Sequence, residues 1–276
     1  MKIVQCPTCS MRYVDPVPAE FALGGYYNTE GAKYYLSADK LASDYAPVRF
    51  ERELCLFRQH CRQGAVLDVG CSSGAFLFQL NKRCAGEYQI CGTDVSGPPL
   101  DYAQSQGVPV VRGNFLEHDF RKRFDAITFW AVLEHLLEPK RFLEKTASLL
   151  KEGGLCFVLV PNMSSLAVRL LGRRYRYIYA QHLNYFTGRS MRRLVQSRFS
   201  VIENRTTHFN PIVIWQDWRG CGGEVSNRER GELLRKTTGY KENPLLAPVR
   251  FGYRMTEKIL SAFGLADNLV FVLKRI

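Results

Sequence analysis

No stretch of this 276-residue chain is apolar for long enough to cross a bilayer. The longest runs, such as LCFVLVP at 155–161, fall far short of the ~20 residues a helical span needs. The opening MKIVQCPTCSMRYVDP has no apolar segment of signal-peptide length, so a soluble chain of cytoplasmic localisation is expected. A disulfide framework is also missing. The nine cysteines are an odd number, and several (Cys84, Cys91, Cys156) sit inside apolar stretches, where free thiols behave as small buried hydrophobes. Internal repeats and low-complexity tracts are absent. Acid is in short supply: 26 Asp and Glu against 38 Lys and Arg leave a formal charge of +12. That balance favours anionic partners, whether phosphorylated small molecules, lipid head groups or nucleic acid, although a basic solvated surface would account for it equally.

What is present is a core and a period. Apolar residues make up 46% of the chain. From residue 65, short β-branched runs alternate with longer amphipathic segments, the pattern of a parallel sheet flanked by helices. Strands are expected at 65–69, 88–94, 108–111, 124–130 and 154–160, with two more at 199–204 and 268–275. AFLFQLNKRC, PLDYAQSQ and KRFLEKTASLLK carry helical spacing, and Gly107 and Gly153-Gly154 read as helix stops. Residues 46–63 predict one amphipathic helix through Val48, Leu54, Leu56 and Phe57. The division expected is an N-terminal segment at 1–45, a core at 46–206 plus 267–276, and an inserted lid at 207–266 with two helices, the N-terminal segment and residues 161–189 joining that lid over the acceptor.

The chemistry is concentrated in VLDVGCSSGAFL, residues 66–77. A strand ends in Asp68, then Gly70 and Gly74 open a helix whose unpaired N–H groups face a ligand. A dinucleotide fingerprint needs G-x-G-x-x-G, and here Ser72 stands where its middle glycine belongs. Asp68 would repel a pyrophosphate and welcome a ligand carrying an ammonium and a sulfonium. Asp94, ending the next strand in QICGTD, is placed to accept both hydroxyl hydrogens of a ribose.

On these residues the chain resembles the class I S-adenosylmethionine-dependent methyltransferases, in particular the bacterial small-molecule enzymes related to ubiquinone-biosynthesis O-methyltransferases. VLDVGCSSG resembles the family's first motif, with Ser72 in place of a glycine; GNFLEHDF resembles the third; FDAITFWAVLEHLLEP resembles the fourth strand and its sequel. LLKEGGLCFVLVPN is similar to the fifth strand and its preceding turn, QHLNYFTGRS to a segment that follows it, and the C-terminal strands to the family's closing pair, the last inserted antiparallel. The resemblance implies a Rossmann-like, doubly wound α/β fold and S-adenosyl-L-methionine as cofactor. Asp68, Gly70, Cys71, Ser72 and Gly74 would hold its methionine end, Asp94 the ribose, Asn114 and the backbone of Phe115 the adenine, with Trp130 alongside.

Other candidates carry open alternatives. Cys6-Pro-Thr-Cys9 is half of the zinc module that related enzymes carry, and without a second pair it reads as a metal-free turn, so no metal is expected. Glu134-His135 could assist deprotonation of an acceptor, or simply open a helix beside the cofactor. His182, in an aromatic-rich loop, is a second possible base or a packed histidine, and Tyr185 beside it could line the pocket of the acceptor or belong to the core of the cap. Arg173 and Arg174, in a run of arginines and tyrosines, could grip a phosphate, stack on RNA or form a solvated face. The expected activity is methyl transfer to a small molecule, anionic or sugar- or lipid-linked, with a peripheral membrane contact as one option. An RNA methyltransferase and a non-catalytic cofactor-binding protein are the alternatives. Neither an RNA-binding module nor an Asn-Pro-Pro-Tyr motif accompanies the core.

Overall fold

In a computed structural model, which describes residues 2–22, 25–179, 181–220, 226–243 and 246–276, the chain begins with a small hairpin and four short helices. These are β1 (Ile3–Gln5), β2 (Arg12–Val14), α1 (Ala19–Ala22), α2 (Gly25–Asn28), α3 (Glu30–Tyr35) and α4 (Ala38–Asp44). The alternating core follows: α5 (Glu51–His60), β3 (Gly64–Val69), α6 (Ala75–Arg83), β4 (Tyr88–Asp94), α7 (Gly97–Ser105), β5 (Val110–Arg112) and β6 (Phe124–Trp130). A one-turn 3-10 helix, Leu133–His135, leads to α8 (Pro139–Leu149) and β7 (Leu150–Pro161). Then come α9 (Leu166–Leu171), β8 (Asn184–Tyr185), α10 (Gly188–Val195), β9 (Phe199–Thr207), α11 (Pro211–Arg219), α12 (Asn227–Glu242), α13 (Ala247–Ala262) and β10 (Asn268–Arg275).

Seven strands form one sheet in the order β5-β4-β3-β6-β7-β10-β9, with β10 antiparallel to both of its neighbours. This is the doubly wound, Rossmann-like α/β fold with its last strand inserted antiparallel. The central strands read as apolar runs because helices cover both faces. Side-chain alternation sends Leu67, Ile127, Phe129 and Phe271 to one layer, and Val66, Phe157 and Val272 to the other, where Leu54, Phe57 and Phe76 of α5 and α6 meet them. Strand order reverses between β3 and β6, which opens a crevice at their carboxyl ends.

Several boundaries differ from the sequence reading. The strand expected at 108–111 is Val110–Arg112. α8 stops at Leu149, not at Gly153, which lies within β7 at φ +70°; Gly107, at φ +78°, follows α7 as expected. Among the described residues of 207–266 there are three helices where two were expected, because Pro211 and the Asn210 side chain start α11 in a stretch that lacked clear periodicity. The N-terminal hairpin pairs with β8 in a second, three-stranded sheet, a non-local pairing that no short-range pattern marks.

Phe157 is central to the layer under α5 and α6. It is fully buried between Thr128 of β6 and Val272 of β10, and its ring lies 4.9 Å from Phe57 and 6.4 Å from Trp130. Phe157→Ala is expected to cost about 3–5 kcal/mol in chemical denaturation, the range for an emptied aromatic site. Phe157→Leu should lose well under half of that; equal losses would mean that the site collapses freely and is not a packing centre.

Candidate active site at the strand-order reversal

The loop after β3 is fixed by backbone geometry first. The amides of Gly70 and Cys71 donate to the Thr93 carbonyl at 2.7 and 3.1 Å, tying the turn to the end of β4. Gly70 has φ +72°, and a Cβ there would stand 2.6 Å from Val132; Gly74 has φ +75°, and its Cβ would stand 2.8 Å from that of Ala103. Both positions therefore require glycine. Ser72 also sits in the left-handed region, at φ +50°, at the position where the first-motif resemblance implies a glycine. Its amide donates to Asp94 Oδ2 at 2.9 Å, and the Ser96 amide donates to Asp94 Oδ1 at 2.9 Å. Asp68 is buried at the end of β3 and accepts 2.6 Å from the Thr128 hydroxyl. Burial raises it to about 7, outweighing that hydrogen bond. Asp94 is raised too, by burial, against the pull of its backbone donors.

The other cofactor candidates are placed as follows. Cys71 is buried against Gly92. Asn114 uses its side chain on its own turn, accepting from Leu116 N and donating to Glu117, and Phe115 stacks on Phe142 in the core. Only the backbone of that pair is left to face a ligand. Trp130 packs on Phe76 at 5.1 Å, with its indole Nε1 buried and unpartnered.

Beyond β6, Glu134, His135 and His182 come together: one ligand atom from each lies within 4.8 Å of the others. His135 Nδ1 lies 2.9 Å from the Gln181 carbonyl and His182 Nδ1 lies 2.8 Å from the Tyr177 carbonyl. A carbonyl only accepts, so each ring carries its proton on Nδ1 and presents a lone pair at Nε2. Burial holds His135 down at about 4 and His182 well below its ordinary value. Glu134 is fully enclosed, its Oε2 has no partner, and burial raises it to about 8. Such a group can exchange a proton or hold a divalent cation. Tyr185 is buried, with its hydroxyl 3.2 Å from the Tyr179 carbonyl and its ring 6.5 Å from that of His182. Arg173 and Arg174 are exposed on the 3-10 turn after α9, and among the described residues no hydrogen bond or ion pair joins them to this group. Cys6 and Cys9 lie in the β1–β2 turn, with no third ligand beside them among the described residues.

Sequence reasoning put the N-terminal segment in the acceptor lid but did not single out the residue that covers the crevice. Tyr27 of α2 is drawn over the crevice, its carbonyl accepting from Ser96 Oγ at 2.6 Å, while Asn28 accepts from the Gly97 amide at 3.1 Å. The Tyr27 hydroxyl is buried without a partner, and burial together with the nearby Glu134 raises it. The tyrosine pairs Tyr26-Tyr27 and Tyr34-Tyr35 were its only trace in the sequence. Trp130 Nε1, Glu134 Oε2 and Tyr27 OH, buried and unpartnered among the described residues, together with the carboxyls of Asp68 and Asp94 suit a polar, positively charged ligand in this crevice.

A methyltransferase-domain family profile matches residues 45–198, more than half of the chain. The chain belongs to this family. Its cofactor is S-adenosylmethionine. The chain is similar to the ubiquinone biosynthesis O-methyltransferases of Shewanella halifaxensis, 28% identical over 40% of this chain and 50% of the relative, and of Coxiella burnetii, 30% identical over 47% and 57%. It thus spans about half the length of the curated relatives it matches. In fold it is similar to the N-methyltransferase NodS of Bradyrhizobium japonicum, solved with S-adenosyl-L-homocysteine, at TM-score 0.53 and 14% identity over 90% of this chain and 97% of that one.

The raised carboxyls make a pH prediction. Unfolded carboxyls lose their protons near pH 4, whereas folded Asp68 and Glu134 keep theirs to about 7 and about 8. In between, the folded state binds more protons, so stability falls as pH rises. The histidines act in the opposite sense only below about 6.5, where unfolded imidazoles charge and His135 does not. Ligand-free protein should therefore lose about 2 kcal/mol between pH 6.5 and 8, seen as a falling thermal midpoint. The Asp68→Asn, Glu134→Gln variant should flatten that fall; a level wild-type profile would show both carboxyls already ionised.

Proposed function

We propose that the protein methylates a hydroxyl oxygen of a small-molecule acceptor held under the tyrosine cover, with His135 taking the hydroxyl proton. The observation that carries this reading is the pair of neutral imidazoles, each locked with its proton on Nδ1 and its Nε2 lone pair free, beside the enclosed carboxyl of Glu134. An amine acceptor that is already neutral needs no base; a hydroxyl does. His135 is the partly exposed member, so it meets the acceptor, and the fully buried His182 positions it through their ring contact at 4.8 Å.

In the same reading Asp68 and the Gly70–Gly74 loop receive the methionine end of the cofactor, Asp94 the ribose, the backbone at Asn114-Phe115 the adenine, and Trp130 lines the pocket. When bound, the cofactor supplies a methyl group activated on a sulfonium, so the chain has to orient the acceptor, exclude water and accept one proton. As the acceptor oxygen forms its new bond, its proton passes to His135 Nε2. The relatives named as O-methyltransferases support an oxygen acceptor, and the enclosing Tyr27 and Tyr179 support a small one over a nucleic acid.

Two measurements test this. Titration calorimetry should find S-adenosylmethionine binding that Asp94→Ala weakens by about 1.5–3 kcal/mol, the scale of lost charge-assisted hydrogen bonds. His135→Asn keeps a donor for the Gln181 carbonyl but has no lone pair at the Nε2 position. With a panel of phenols, catechols and amines, it should lower turnover on a hydroxyl acceptor about 10²–10⁴-fold and leave cofactor affinity unchanged. Turnover confined to amines, or unaffected by His135→Asn, would sink the assignment.

A further inference from the structure

Outside the family region, α13 is two-faced. Phe251, Met255, Ile259 and Phe263 are 44–75% exposed and recur every fourth residue. At about 100° per residue they fill an arc of roughly 120°. Exposed Arg254 and Lys258 border that arc, while Glu257, buried on the opposite side, accepts from the His208 amide at 2.9 Å. A soluble helix docked on one side should be polar on the other, and this one is not.

Elements in contact with α13 carry a second apolar patch. Phe209, before α11, has its ring 6.3 Å from that of Tyr253 of α13, and the Leu166 amide of α9 donates to Leu265 just past α13. There α9 and α11 form an apolar groove of about 280 Å³ lined by Leu170, Phe209, Ile214, Trp215 and Trp218. Trp215 and Trp218 are 52% and 65% exposed, and Leu170 is 65% exposed. Arg169, Arg173, Arg174 and Arg219 surround them, exposed. The acids of α11 and α13 are turned inward: Asp217 binds Arg176, and Glu257 is buried. Among the described residues no exposed acid lies on α9, α11 or α13.

We propose that this face docks the protein on an anionic lipid surface. The apolar stripe of α13 and the two tryptophans would enter the interface, and the arginines and Lys258 would meet the head groups. Exposed tryptophans beside basic residues are what a membrane interface selects. Charge argues against a second copy as the occupant, because a self-complementary contact would bring basic rims together with no acid between them. The face lies apart from the residues assigned to methyl transfer and needs none of them, so it is tested by binding alone.

The full chain should float with vesicles of phosphatidylglycerol and phosphatidylcholine at least tenfold more strongly than with phosphatidylcholine alone, with a blue shift of tryptophan emission. Phe251→Ser with Phe263→Ser, and separately Arg254→Glu with Lys258→Glu, should each lower vesicle partition about tenfold. Both variants should keep wild-type affinity for S-adenosylmethionine, which shows that they are folded. Absent vesicle binding, equal binding to neutral vesicles or insensitivity to both variants would overturn the proposal. So would light scattering that finds a dimer which Phe251→Ser with Phe263→Ser splits.

Discussion

The tie between the Gly70–Gly74 turn and the end of β4 is the constraint on which the site depends. Four amides, those of Gly70, Cys71, Ser72 and Ser96, are satisfied by only two groups, the Thr93 carbonyl and the Asp94 carboxyl. Because those acceptors end a buried central strand, the loop cannot move without breaking β-sheet pairing. Asp94 is thereby held with its carboxyl at the mouth of the crevice, and α6 is aimed with its first turn toward it. Ser72 at φ +50° shows the tightness of the arrangement: the backbone keeps a glycine conformation at a position where the side chain opposes it.

Much of this was legible. The period of two giving way to 3.6 marked the sheet and its crossover helices, and Asp68, Gly70, Gly74 and Asp94 were readable because strand, turn and helix are contiguous in the chain. The rest was not, for a physical reason. Tyr27 reaches the crevice from a segment far from it in sequence, through one carbonyl and one side-chain amide. His182 reaches Glu134-His135 by way of a loop whose path is set by β8 pairing with the N-terminal hairpin. Neither contact leaves a periodic trace. The exposed stripe of α13 was obscured differently, since a helix apolar on its outer side and anchored by a buried Glu257 on its inner side has an inverted pattern.

Burial inverts the charges at the site as well. Asp68, Asp94 and Glu134 are pushed up and His135 and His182 pushed down, so burial draws carboxyls and imidazoles alike toward neutrality. A cationic cofactor would reverse this for Asp68, since a positive charge nearby favours its ionised form. Under the proposed cofactor contacts, negative charge at Asp68 would grow when a positive ligand is there to compensate it. A site ionised beforehand would have to hold unpaired carboxylates in a low-dielectric interior.

The net charge of +12 takes its meaning from the same separation. Acids such as Asp68, Asp217 and Glu257 are drawn inward, where hydrogen bonds and partners hold them, and the bases are left outside. On α9, α11 and α13 the excess lies beside apolar side chains that a purely solvated surface would not display. Charge alone would attract any polyanion, RNA included. Phe251, Met255, Ile259 and Phe263 present aliphatic and aromatic bulk at helical spacing, which a phosphate backbone cannot bury but the acyl boundary of a bilayer can. Under the proposed docking, an acceptor dissolved in that boundary would meet the protein at the same surface.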